Sequence, residues 1–168
     1  SLYPDPKKTP WLKRLVPFVF TRYGKDRVQG GNGYFVLPGI RVHTTRQGFF
    51  RVDAGWGREP WAGQVFPTSQ VRLMGGAQPF RWLNVFAQAR FARSIYYDPQ
   101  EPYSGRERSY RAEVSLQPSS RLNQSLSWSH VRFDRASTGE TVYTVDILDT
   151  RTTFQFDRHF FLRAIVQY

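Results

Sequence analysis

The chain contains no cysteine, which excludes disulfide staples, thiolate chemistry and cysteine-based metal sites together. Long apolar runs are also missing. The longest, Leu15 to Phe20, holds six residues, whereas a membrane-spanning helix needs about 18 or more. Neither an initiator Met nor a signal-peptide core stands at Ser1, which predicts a processed product or a fragment whose targeting segment is gone. Lysine is scarce. Only Lys7, Lys8, Lys13 and Lys25 are present, so 20 of the 24 basic residues are Arg and none of those after residue 26 is Lys.

What is present is an arginine-rich chain of 168 residues, 40% hydrophobic and 17% aromatic, with a formal net charge of +11. That length suits one domain with a sizeable core. An ordinary solvated surface mixes Lys with Arg, because the ammonium is the better-hydrated cation; the planar guanidinium suits confined polar interiors and nucleic acid. Codon composition accounts for part of the bias. The arginines are spread over every segment of the chain instead of forming one basic stripe, which argues against nucleic acid as a partner. A mean hydropathy of −0.54 fits a soluble protein and equally a membrane barrel, whose strands are apolar on one face only.

Helix signals are few, and period-two alternation recurs throughout. Tyr34, Val36, Pro38, Ile40 and Val42 oppose Phe35, Leu37, Gly39, Arg41 and His43. Phe50, Val52, Ala54 and Trp56 oppose Arg51 and Asp53, and Leu83 to Phe91 alternate with Gln88 and Arg90. Tyr110, Ala112, Val114 and Leu116 oppose Arg111 and Glu113, Leu126 and Trp128 oppose a serine series, and Leu162, Ala164 and Val166 oppose Arg163. Weaker strands fit at 13–22, 64–74 and 141–156. Turn chemistry stands at Gly30–Gly33, Gly75-Gly76, Pro118–Ser120, Ser137–Gly139 and Asp157-Arg158. The reading is all-β: an antiparallel up-and-down meander of about eight or nine strands over residues 13–168, after an extended lead-in over residues 1–12.

Whether that meander is a soluble sandwich or a barrel segment turns on three features. Several alternating runs reach ten residues or more, while strands of soluble domains average about five or six. Aromatics gather near run ends (Trp56, Trp61, Phe80, Trp82, Tyr96, Tyr97, Trp128, Phe160, Tyr168), as interfacial girdles require. The polar face mixes Arg with Asp, Glu, Gln and Ser, which suits a hydrogen-bonded lumen. These favour a segment of an outer-membrane barrel, or a small one. The alternative is a soluble β-sandwich module that binds carbohydrate or a polyanion.

The motifs Ile95–Pro99, Pro118–Leu122, Trp128–Asp134 with Thr138–Glu140, and Arg151–Phe156 running into Phe161–Tyr168 resemble one bacterial family. Its members join an N-terminal family-9-type carbohydrate-binding module to a C-terminal outer-membrane barrel of unknown function. The resemblance is most specific over residues 75–168 and extends back to about Tyr34. It implies a fold, an outer-membrane location and a link to carbohydrate binding or uptake, with no reaction attached. The carbohydrate-binding module is absent from these residues, and members of the family continue past the position of Tyr168. The resemblance thus implies the late part of a larger barrel, although the terminal aromatic also resembles a barrel-insertion signal.

Chemistry is sparse. His43, His130 and His159 fall on different segments without metal-ligand spacing, so no metal or cofactor is expected. Asp146 and Asp149 are three apart on a strand and point to opposite faces, which weakens any paired-carboxylate role. No Gly-x-Ser-x-Gly elbow is present, and a barrel hydrolase would have to draw on Asp53, Asp134 and His130. The expectation is a non-enzymatic channel, receptor or scaffold. The candidate lumen network is Arg41, Arg51, Asp53, Gln88, Arg90, Arg111, Glu113 and Arg163. A loop of Tyr96, Tyr97, Asp98, Glu101 and Tyr103 could hold a sugar or calcium, though a Tyr- and Pro-rich loop more simply packs on itself. Expected partners are the lipid bilayer, a carbohydrate or anionic solute, and further strands of the barrel or other chains, because Pro17 makes the first strand a poor closing partner for Phe160–Tyr168.

Overall fold

In the computed structural model, which describes residues 2–27 and 30–168, no helix occurs among the described residues. Nine strands follow one another: β1 (Leu12–Lys25), β2 (Asn32–Thr44), β3 (Phe49–Trp61), β4 (Gln64–Phe80), β5 (Leu83–Tyr96), β6 (Tyr103–Leu116), β7 (Leu122–Arg135), β8 (Thr141–Gln155) and β9 (Phe161–Gln167). Each pairs antiparallel with the next, in sheet order β1 to β9. Strands β1 to β8 run 13 to 17 residues. The lead-in touches the sheet through a bridge between Leu2 and Leu15.

The sheet is not closed. Among the described residues β1 pairs only with β2 and β9 only with β8. In an up-and-down meander alternate strands reverse, so β1 and β9, the first and the ninth, run in the same direction.

Directly opposed residues share a face of the sheet, so the register sorts every strand residue. One row runs Asp53, Arg72, Arg90, Ser109, Val131 across β3 to β7; the neighbouring row on the other face runs Val52, Leu73, Ala89, Tyr110, His130. With no second layer, a side chain is hidden only where the sheet curls toward it. Of the buried side chains, Leu37, Asp53, Phe66, Ala92 and Phe133 belong to the arginine-rich face, while Ile95 and Asp134, beside the β5–β6 loop, belong to the other; the arginine-rich face is the more enclosed, inner one.

Two turn assignments differ from the sequence reading. Gly75-Gly76 lies inside β4, and the reversal falls at Arg81-Trp82. At Gly76 an added Cβ would stand 3.0 Å from the Val85 carbonyl oxygen and 3.1 Å from the Phe49 ring. The pair is there for close approach, not for a turn. Conversely, β3 turns into β4 through Ala62-Gly63, both with positive φ (48° and 73°), the signature of a two-residue hairpin turn.

Near the end of the sheet that carries the β5–β6 loop, Phe133 lies across the backbone of Gly105. A Cβ on Gly105 would meet that ring at 2.1 Å. The ring reaches Tyr96 at 6.1 Å between centroids and stacks on Tyr143 at 5.4 Å. Phe133 is 2% exposed, so Phe133→Ala should lower the unfolding free energy by about 3–5 kcal/mol. Gly105→Ala should also destabilise, and the double variant should cost clearly less than the sum, because removing the ring vacates the space the new methyl needs. Denaturant unfolding of the four proteins measures this; strict additivity would separate ring and glycine.

Candidate functional site

Strand pairing brings charged groups of the inner face together in separate clusters. Asp53, 1% exposed, accepts from Arg51 Nε at 2.7 Å and from Arg72 Nη2 at 3.1 Å. The Phe18 ring lies 4.4 Å from the Arg51 guanidinium carbon, covering the ion pair. Gly39 permits this, because a Cβ there would stand 2.4 Å from Phe18 and 2.8 Å from the Asp53 Cβ. A buried carboxylate held by two guanidinium groups is satisfied in charge and in hydrogen bonds. Further along, Arg90 donates from Nε to Gln70 Oε1 at 2.9 Å and forms an ion pair with Glu107. Arg111 pairs with Glu113 two residues on, along its own strand.

All eight residues of the expected lumen network lie on this one face. They do not form a single cluster. Arg41 stands directly opposite Arg51, and its Nε is buried without a hydrogen-bond partner; Asp53 is already taken by Arg51 and Arg72. Gln88 faces Arg111 across β5 and β6, and Arg163 on β9 packs its guanidinium 5.6 Å over the Phe161 ring. The sequence reading missed Arg72, Gln70 and Glu107. Their alternation was visible, but their roles depend on which residue the register sets opposite them.

The loop candidates are used up locally. Asp98 Oδ1 accepts from the backbone N–H groups of Gln100 at 2.7 Å and Glu101 at 3.1 Å. These two bonds lower the Asp98 pKa from its ordinary value. Tyr96 and Tyr103 stack on each other at 4.8 Å, and Arg135 sits 3.9 Å over the Tyr103 ring. Tyr97 instead packs edge-on against Trp61 at 5.2 Å and donates to Glu59; burial and the Glu59 charge raise its pKa. Glu101 reaches Arg135 only at 3.9 Å. The five residues serve three separate contacts and converge on no common ligand position.

Asp53 lies on the inner face, while Asp134 and His130 lie on the outer one, so the groups considered for a hydrolase do not meet. His130 Nδ1 lies 2.8 Å from Asp146 Oδ1, and Trp128 Nε1 donates to the same carboxylate at 3.3 Å. Asp149 is on the opposite face from Asp146. Among the described residues no group of three or more His, Cys, Asp or Glu could hold a metal ion.

The outer face is apolar across the middle of β2 to β6, where Ile40, Phe50, Val71, Leu73, Val85 and Phe91 are exposed. That separation weakens at β8, whose inner positions Val145 and Ile147 are apolar and whose outer positions include Thr144 and Asp146. Comparison with protein-family models, with curated proteins and with solved structures gives no match.

Asp53→Ala strands two arginines and should lower stability by about 3–5 kcal/mol, with Asp53→Asn losing less because its amide oxygen still accepts one bond. Equal stability of Asp53→Ala and the parent in denaturant titration would remove the ion pair from the account of the fold. In the β5–β6 loop, Asp98 has a depressed pKa, so its capping is complete above the ordinary Asp value, about 4, and is lost as pH falls through the lowered folded value. Protection of the Gln100 and Glu101 amides, relative to their intrinsic exchange rates, should therefore fall only in that acid range. Asp98→Ala should lower this protection at every pH and leave it independent of pH.

Proposed function

We propose that these nine strands are part of the wall of an outer-membrane β-barrel, with the outer face against lipid and the inner face lining an aqueous lumen that admits anionic solutes. The observation that carries this reading is the inverted polarity of the sheet. Asp53 is 1% exposed while Phe50, Trp56 and Phe91 are 48%, 52% and 43% exposed. A soluble sandwich hides its apolar face and wets its charged one; a barrel wall does the reverse.

The surface area points the same way. The chain exposes 11836 Å², against about 8,600 Å² expected of a folded monomer of 19.7 kDa. The excess, about 3,200 Å², is several times the roughly 800 Å² that one side of an ordinary protein interface covers. Lipid and neighbouring strands together account for it. Strand length supports a spanning role, since about 9–11 residues cross a bilayer at a tilt and β1 to β8 all exceed that. Aromatics stand toward both ends of the outer face, with Phe80 stacked on Trp82 at 5.3 Å at one end and Tyr23, Tyr34 and Trp56 toward the other.

Anion preference follows from charge accounting on the inner face. Asp53, Glu107 and Glu113 are each held by arginine, while among the described residues Arg41, Arg163 and the inner-face Asp149 are in no ion pair. The surplus is positive, and a confined positive lumen concentrates anions. A carbohydrate link rests on the family resemblance alone. The outer-membrane setting implies that further strands, from the same protein or another chain, complete the wall.

Arginine placed at Ala87 in mid-face should cost about 2–4 kcal/mol of folding stability in lipid, and at Gln88, one residue away on the inner face, far less. Equal costs would sink the two-sided assignment. A chain that stays monodisperse in plain buffer, with no need of detergent or lipid, would instead support the soluble module.

A further inference from the structure

On the outer face, near the end that carries the β5–β6 loop, like charges stand directly opposite one another. Arg93 faces Arg106 across β5 and β6, and Arg108 faces Arg132 across β6 and β7. Such pairing destabilises a sheet unless something neutralises it. The carboxylate within the cluster, Asp134, is engaged by Arg132 Nε at 2.9 Å and by Thr141. Arg106 stands directly opposite Asp134, but among the described residues Arg93, Arg106 and Arg108, all exposed, make no ion pair within 4.0 Å of a carboxylate. They line one side of a groove of about 660 Å³ whose opposite side is Trp56, Val71 and Phe91.

A second, separate depression lies farther along the same strands, about 750 Å³ in volume and lined by Phe50, Leu73, Gly75, Val85, Ala87 and Ala112; Phe91 and Tyr110, edge-on at 5.9 Å, stand between the two. Gly75, Ala87 and Ala112 are in register across β4, β5 and β6, so the floor is low there. From Arg93 to Ala87 is six residues, about 20 Å of strand, close to the length of an extended lipid acyl chain.

We propose that this groove binds the phosphate-bearing headgroup of an anionic membrane lipid, with Arg93, Arg106 and Arg108 on the phosphate and an acyl chain along Phe91 and the Gly75–Ala87–Ala112 floor. The inference rests on the outer face meeting lipid. Four arginines around the single Asp134 carboxylate leave a positive surplus that selects an anion with several oxygens, and the apolar depression farther along the strands selects one that carries an apolar tail. A soluble anion would use the first and gain nothing from the second.

The test uses the full chain folded into phosphatidylcholine vesicles containing an equal minor fraction of brominated phosphatidylglycerol or brominated phosphatidylcholine. Trp56, in the groove wall, reports contact by fluorescence quenching. Brominated phosphatidylglycerol should quench several-fold more strongly, and Trp56→Phe should remove most of that excess. Replacing Arg93, Arg106 and Arg108 together by Gln should abolish that several-fold preference, since one arginine near a charged surface is worth about fivefold. The same charge change at Arg81, Arg121 and Arg158, in turns at the other end of the sheet, should leave it intact. Equal quenching by both headgroups would overturn the lipid site while leaving the membrane reading standing. Absence of quenching by either lipid would overturn the membrane reading, and the site with it. If glycerol phosphate, which has no acyl chain, removes the whole preference at equal concentration, the arginines bind a soluble anion and the lipid site is overturned.

Discussion

Backbone hydrogen bonding between neighbouring strands is the one interaction on which every other feature of this molecule depends. The nine strands lie side by side in a single sheet, with no second layer to pack against. In most domains two layers bury one apolar face between them, and the ladder only organises what packing stabilises. Here the ladder does both jobs, and side chains contribute mainly through cross-strand pairs. Phe18 over Arg51, Phe133 over Gly105 and Arg72 on Asp53 are all contacts of that kind.

A single sheet must meet a medium on each face, and the residues say which medium suits each. Burying a charge is costly unless it is paired, and on the inner face Asp53, Glu107 and Glu113 are each paired with arginine. The scarcity of lysine fits this arrangement. A guanidinium can donate to two acceptors in fixed geometry, as Arg90 does to Gln70 and Glu107, and can lie flat beneath a ring, as Arg51 does. An ammonium on a flexible stem does neither as well. The outer face carries its arginines at one end only, beside the groove, and is apolar through its middle.

The fold was legible because period-two alternation is a local property. Most strands show it, those near β1, β4 and β8 more weakly, and it puts Arg41, Arg90, Arg111, Glu113 and Arg163 on the polar side of their own strands before any pairing is known. Pairing itself was not legible, because it depends on where each strand turns. Gly75-Gly76 resembles a turn and is a place of close packing, whereas Ala62-Gly63 makes a turn with an alanine at positive φ, which composition does not advertise. Two residues of error in a turn shift every cross-strand partner, which is why Arg72 and Glu107 escaped notice while the inner residues around them did not. The β5–β6 loop shows the same limit. Its residue types suit a ligand, and only the contacts reveal that Asp98 is spent on the backbone and Tyr97 on Trp61 and Glu59.

Closure follows from parity and from the edges. Because β1 and β9 run in the same direction, pairing them would introduce a parallel ladder into a sheet whose every pair is antiparallel. An added strand, or any odd number of them, restores alternation; single-chain bacterial barrels accordingly have even strand counts. The edges reinforce the point. Pro17 stands mid-way along β1 without an N–H to give. In hydrocarbon each unpaired backbone group costs several kcal/mol. A wall section with these edges is stable in a bilayer only when neighbouring strands cover them. The polarity of the two faces and the parity of the strand count are both consistent with the proposed arrangement, a section of barrel wall that other strands would complete.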